Sequence, residues 1–496
     1  MKKNGFCFSG FKLTLIALLL LWKCGNAYAQ IYPSIAPADS LKVLPLEAFY
    51  DRVLEYHPGI RQAALFTEEA ERQIMEARGV FDPKLESGYD RKVYKDQHYY
   101  TNWTSELKIP VLINTDLKVG YERNEGYYLN DQKTVPDEGL LYAGISLGLG
   151  QGLFTDSRRI GLRLARLNQT AADAERVKLL NKLLFEAAKD YWNWSLAWYQ
   201  LQINEEGVEL AQIRFQGIKE GVEAGDLAAI DSVEAKITLQ SRQIELVQSR
   251  LDYRNALLQL GLYLWDEEGT PLMPGPTIVP EALWQLEDVP LQSLEALTEI
   301  AGRQHPDIRK LENKIQQLEV EERLYRELLK PLVNVNYNYL TLPANGFSEV
   351  TNNYRNNYKL GVDFSFPLLL RKERAKLQLN RIKQERTFLD LTMSRRQINN
   401  SLQQAYNDFL TLRGVLRDQQ EIVRNYEIML EGEAERFRAG ESSVFLVNQR
   451  ENKLLEARVK LTSLAAKYQK AKAAVTWSAG INWSGVDGAA DYGTNR

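Results

Sequence analysis

Two carboxylates in this chain have the type and spacing to act on ions. Asp231 and Glu234 stand three residues apart just past the turn Ala224-Gly225-Asp226, so on a helix they share one face. Repeated in a ring around a narrow mouth, such a pair would attract and hold cations. The same spacing also lets both residues face solvent, or pair with Lys236 or Arg242. Aligning Gly225 with Gly440 (440 − 225 = 215) puts Leu446 and Gln449 at the matching places, so the charge belongs to one half of the chain only.

Little else in the sequence offers chemistry. His57 and His305 each precede a proline, where a helix-starting role suffices, and His98 stands apart. No His, Cys and carboxylate cluster has metal-ligand spacing. There is no G-x-S-x-G elbow and no phosphate loop. Gly148-Leu149-Gly150-Gln151-Gly152 follows a strand but lacks the rest of a dinucleotide-binding unit. The many Glu/Arg pairs read as solvated helix faces worth a few tenths of a kcal/mol each. The expectation is no enzyme, no cofactor and no metal.

The elements that would position the carboxylates are long helices. Arg371 to Arg438 contains no proline and two glycines, Gly414 and Gly432. Within it Leu391, Ile398, Leu402, Ala405, Phe409, Leu412, Leu416, Val423, Tyr426 and Leu430 alternate at three and four residues, the period of a left-handed coiled coil. At 1.5 Å per residue this helix is about 100 Å long. A second long helix is expected over Arg158 to Lys219. Each ends at a glycine turn, Ala224-Gly225-Asp226 or Ala439-Gly440-Glu441, and a shorter helix returns, over Ala228 to Trp265 or Val444 to Ser478.

The layout occurs twice. His57-Pro58-Gly59-Ile60-Arg61 matches His305-Pro306-Asp307-Ile308-Arg309 at an offset of 305 − 57 = 248, which Pro83 and Pro331 keep. Each of the helices that follow the His-Pro pairs ends at Asp82-Pro83 or Lys330-Pro331, and alternating sequence comes next. Val333, Val335, Tyr337 and Tyr339 alternate with asparagines, and Tyr358, Leu360, Val362, Phe364 and Phe366 with polar residues or glycine. In the first half Trp103, Leu107 and Ile109, then Leu117, Val119 and Tyr121, then Ala143, Ile145, Leu147 and Leu149 do the same; Lys84 to Tyr94 alternates less cleanly. Twelve of the 25 tyrosines fall in 84–150 and 331–366. Strands of about nine residues with aromatic ends suit a membrane barrel, although a soluble sheet with one wet face also alternates. In each half the two shorter helices, stacked end to end, match the long one alongside, so the unit reads as a rod with strands at one end.

Lys2, Lys3 and Lys12, the apolar run Leu13 to Trp22 and Ala27-Tyr28-Ala29 make a secretory signal peptide cleaved before Gln30. Both cysteines, Cys7 and Cys24, lie in it, with lipidation of Cys24 the lesser alternative. Removing its four lysines takes the charge balance to 58 − 65 = −7, which gives no hint of nucleic acid.

A signal peptide and two copies of helix, strands, long helix, glycine turn and helix, with His-Pro and Asp/Lys-Pro pairs at corresponding points, resemble the TolC-like outer-membrane efflux proteins from Pro45 to Ile481. The resemblance implies a mostly α fold with transmembrane β: a long α-helical barrel continuous with an outer-membrane β-barrel, closed as a homotrimer. It implies four strands per chain, whereas six segments alternate here; either the barrel has eighteen strands or Trp103 to Tyr121 is an accessory hairpin. The expected domains are a signal peptide (1–29), a first repeat (30–261, with strands in 84–150 and a helical hairpin in 158–261) and a proline-rich connector (262–290). A second repeat follows (291–481, with strands in 332–366 and a hairpin in 371–478), then a disordered tail (482–496). The implied function is the passive exit duct of a tripartite efflux or type I secretion system in a Gram-negative outer membrane, extending into the periplasm. Its partners would be outer-membrane lipid, a periplasmic adaptor (membrane fusion) protein and an inner-membrane pump of RND or ABC type. Gly225, Asp226, Gly440, Glu441, Ser442 and Ser443 would form the adaptor-docking tip, and Asp231 and Glu234 a pore constriction. The alternative is a periplasmic coiled-coil scaffold without a pore.

Overall fold

A computed structural model describes residues 42–111, 114–284, 292–348 and 354–481. The expected signal peptide, both cysteines, part of the connector and the tail lie outside these residues.

Eight α-helices are described: α1 (Leu46–Tyr56), α2 (Pro58–Gly79), α3 (Ser157–Ala224), α4 (Ala229–Gly261), α5 (Leu294–Gln304), α6 (Pro306–Glu327), α7 (Arg371–Arg438) and α8 (Val444–Ser478). The strands are β1 (Lys42–Leu44), β2 (Lys84–Tyr94), β3 (Gln97–Val111), β4 (Thr115–Glu125), β5 (Leu140–Gly150), β6 (Ile278–Pro280), β7 (Leu332–Thr341) and β8 (Tyr358–Ser365). None of these helices is long and apolar enough to cross a membrane.

The chain forms two compact units. The first comprises Met1–His57, Glu186–Asp288 and Leu412–Lys470. It is built on α1, α4 and parts of α3, α7 and α8, with β1 and β6 paired in parallel. Its core includes Leu260, Leu283, Leu416, Tyr191 and Trp194, and the Tyr191 hydroxyl donates to the Leu44 carbonyl at 2.6 Å. The second comprises Pro58–Phe185, Val289–Thr411 and Ala471–Arg496 and contains the large sheet. The coiled-coil spacing of α7 reports burial: Leu391, Ile398, Leu402, Ala405, Phe409, Leu416 and Val423 are all in the core.

Two helix ends differ from the sequence expectation. α3 continues past Lys219 to Ala224, because Gly217 and Gly221 lie within it and the chain reverses only where Gly225 takes a φ of 84°. α4 stops at Gly261 rather than Trp265, since Trp265 forms a bridge with Pro271 in the connector.

The second unit's sheet has the order β2-β3-β4-β5-β7-β8, antiparallel throughout. The segment Trp103 to Tyr121 is therefore inside the sheet. β2 and β7 start 332 − 84 = 248 residues apart, as α2 and α6 do, whereas α3 and α7 start 371 − 157 = 214 apart. The extra 34 residues of the first half accommodate β3 and β4. The β2–β3 turn is Lys95-Asp96, both at positive φ, as a two-residue hairpin of matching twist requires.

Registration sorts the two faces. Leu85, Leu107, Val119, Ala143, Tyr339 and Tyr358 form one unbroken cross-strand row. Lys108, Lys118, Gly144, Asn338 and Lys359 form a row on the other face. On the apolar face Leu85, Leu107, Val119, Leu360 and Phe364 lie open, whereas Tyr339 is buried. The charged side chains of Lys118 and Glu106, 3.7 Å apart, are each only 22% exposed. This sheet is inside out relative to a water-soluble one.

Candidate functional site

In the first unit, two helix reversals are built alike. At the end of α3 the Gly225 N–H donates to the Val222 carbonyl at 3.1 Å and the Asp226 N–H to the Gly221 carbonyl at 3.0 Å. At the end of α7 the Gly440 N–H donates to Phe437 at 3.0 Å and the Glu441 N–H to Arg436 at 2.9 Å. This double capping needs a left-handed residue, and Gly225 and Gly440 supply it at φ of 84° and 77°. The reversals pack on one small core: Ile218, Ala235 and Val444 are buried against Phe215, Val222 and Leu227.

Of the expected tip residues, Asp226, Glu441 and Ser443 are exposed but Ser442 is half-buried. The Ser442 hydroxyl donates to Glu433 at 2.5 Å, and the Ser443 hydroxyl accepts from the Leu446 N–H at 3.4 Å. Both serines serve their own turn, which corrects the reading of Ser442 as an exposed contact. The Ser442 hydroxyl, followed by Arg436 and Arg450, holds the Glu433 carboxyl below its usual range.

Asp231 lies in the first turn of α4 and Glu234 one turn on. Both are half-buried, and neither forms an ion pair among the described residues. Arg242, one of their expected partners, instead reaches Glu245 at 2.6 Å and Asn452 of α8. α8 starts 444 − 229 = 215 residues after α4, so Leu446 and Gln449 do occupy the matching places.

Sequence reasoning missed a polar link between the two helical hairpins. Arg214 of α3 donates to Asn448 at 2.7 Å and to Glu451, both on α8. Glu451 is 3% exposed. Nearby, Arg458 bridges Glu206 of α3 at 3.2 Å and Glu427 of α7 at 2.9 Å. The available signal was the spacing of Asn448 and Glu451, three apart on one face, lost among many surface Glu/Arg pairs.

It also missed a stripe. Ile230, Ile237, Ile244, Leu251 and Leu258 repeat in sevens along α4, with Val233 and Val247 each three residues past one of them, and all are exposed, Ile244 by 72%. A heptad seam of this kind is made to meet another helix. No group of His, Cys, Asp or Glu among the described residues is placed to hold a metal ion.

A family model described as outer membrane efflux protein matches residues 49–264 and 297–480. The solved Campylobacter jejuni CmeC outer membrane channel is similar, with a TM-score of 0.63 and 14% identity, covering 88% of this chain and 85% of that one. The open state of the Neisseria gonorrhoeae MtrE outer membrane channel is similar at TM-score 0.63 and 14% identity, over 88% of each chain. The outer membrane protein VceC of Vibrio cholerae gives 0.61 and 13%, over 88% and 96%. At such identities the likeness is one of fold. No curated protein matches the sequence.

Proposed function

The chain belongs to the outer membrane efflux protein family, and from this we propose that it is the passive exit duct of a tripartite efflux or type I secretion system. The observation that carries the reading is the inside-out sheet, with most of its large apolar side chains exposed and the charges of its central strands, Glu106, Lys108, Asp116 and Lys118, half-covered. Such a face is stable against lipid and costly against water. A soluble scaffold would have to cover it with protein, and no described part of the chain does so. The exposed heptad stripe of α4 supports a homotrimer, since a second copy offers it a helix. Two copies of one unit, 30–261 and 291–481, joined by the connector, build each subunit. Three subunits close the β part in the outer membrane of a Gram-negative cell and the helical part in the periplasm.

The glycine turns form the tip that meets a periplasmic adaptor and, through it, an inner-membrane pump of RND or ABC type. Asp226, Glu441 and Ser443 present polar groups there. Three Asp231 and three Glu234 side chains, contributed by the first repeat, make the mouth acidic. The supporting fact is that both lack an ion-pair partner among the described residues.

The test is purification from outer membranes followed by native mass measurement. A detergent-dependent trimer that conducts ions poorly while its tip is shut is expected. A monodisperse, detergent-independent monomer overturns the reading.

A further inference from the structure

We propose that the hairpin β3–β4 is part of the membrane wall, so that three copies of this chain close a barrel of eighteen strands, with β2 of each copy paired to β8 of the next. The inference rests on the trimeric outer-membrane reading above.

The first argument is the continuity of the lipid-type face. The row Leu85, Leu107, Val119, Ala143, Tyr339 and Tyr358 crosses the hairpin without a break. Below it run Ile109, Leu117, Ile145, Tyr337 and Leu360. An appendage in water has no reason to carry the same apolar face as the strands beside it, in phase with them.

The second argument lies on the opposite face, where polar side chains stitch the hairpin to its neighbours. Asp116 of β4 accepts from Arg158 of α3 at 2.8 Å and faces Lys108 of β3 at 3.2 Å. The Tyr142 hydroxyl of β5 donates to Glu106 of β3 at 2.9 Å, reaching across β4. It can do so because Gly120 lies beneath the ring: a Cβ there would stand 2.4 Å from Tyr142 Cζ. Gly120 thus fixes β4 as the strand between β3 and β5.

The third argument is the sheet's edges. β2 is exposed along its whole length, as is nearly all of β8, and neither has a second neighbour among the described residues. Free edges of this length are templates for further pairing. Because four antiparallel strands lie between the two edges, β2 and β8 run in opposite directions. A copy beside a copy therefore continues the antiparallel order, and the alternation allows only registers that keep Leu85 and Ser87 on the side of Leu360 and Val362. With strands about 4.8 Å apart and tilted about 40°, eighteen strands enclose a backbone diameter of about 36 Å, against about 24 Å for twelve. The barrel would pass a bulkier cargo than a twelve-stranded one.

The experiment has two arms, both on the full chain with Cys7 and Cys24 replaced by serine. In outer-membrane vesicles, single-cysteine variants Leu107→Cys and Val119→Cys are compared with Lys108→Cys and Lys118→Cys for reaction with a membrane-impermeant maleimide. At least tenfold slower labelling of the first pair is expected; equal rates overturn the proposal. Single-particle imaging of the detergent-solubilised assembly then counts strands. Eighteen supports the proposal. A trimer with twelve strands and the hairpin outside the wall overturns it alone, whereas an assembly other than a trimer also overturns the reading beneath it.

Discussion

Gly225 and Gly440 show how much a single residue's backbone decides here. Around each, a Cβ would find nothing within 4 Å, so replacement costs strain and no clash. Gly225→Ala and Gly440→Ala should each destabilise by about 1 kcal/mol, the cost of a side chain in the left-handed region, read as a shift in the denaturation midpoint. The histidines make a pH prediction. His305 Nδ1 accepts from the Asp307 N–H at 3.2 Å, capping α6, and burial lowers its pKa. Burial also lowers that of His57, which stacks on Tyr263 with centroids 6.1 Å apart. An unfolded histidine titrates near 6.5, so below that pH the unfolded chain binds more protons than the folded one and stability falls. His57→Gln with His305→Gln should flatten the loss of thermal stability between about pH 6.5 and 5; an unchanged slope would refute this. The helix-starting role of His305 was legible from the proline after it. The Ser442 hydrogen bond was not, because only the folded turn brings Glu433, nine residues back, beside it.

Whole elements were more legible than their ends. α7 spans the residues expected from its periodicity, since long amphipathic patterns average out local exceptions, and α8 spans those expected for the helix that returns from the glycine turn. The strands followed from alternation alone, but the place of β3 and β4 did not: a period of two says which residues share a face and nothing about which strand lies beside which. The sheet makes a sharp contrast testable. Val119→Arg, at mid-strand on the exposed apolar face, should cost roughly 2–4 kcal/mol in lipid and abolish assembly. Lys118→Gln, one residue away on the other face, should assemble normally; equal yields of heat-resistant trimer from both would contradict the face assignment. On α4, Ile244→Glu with Val247→Glu breaks the exposed stripe without touching the core. The expected outcome is a folded, helical chain by circular dichroism that no longer forms trimers.

At the scale of the whole molecule, corresponding elements of the two halves were readable because the paired prolines keep one offset, 248, and the paired turn glycines another, 215, while the assembly lies beyond any single chain's sequence. The proposed acidic mouth belongs to this scale, since it needs the ring that three subunits would make. Asp231→Ala with Glu234→Ala should lower cation selectivity and relieve block by a trivalent cation in a planar bilayer; unchanged values for both would remove the ring. One consequence of the sheet order concerns time. β2 to β5 are joined by short connections and can pair as soon as they appear, but β5 must wait for β7: Leu141 pairs with Thr341, and α3 and α4 are made in between. A chain emerging amino terminus first at about 5–20 residues per second leaves that interval open for about 10–40 s. Throughout it a four-stranded apolar sheet presents the bare edge of β5 to any other nascent copy. Pulse-labelled hydrogen exchange during refolding into detergent should find β2 to β4 protected before β7 and β8, and truncation before Leu332 should yield aggregates unless a holding chaperone is supplied.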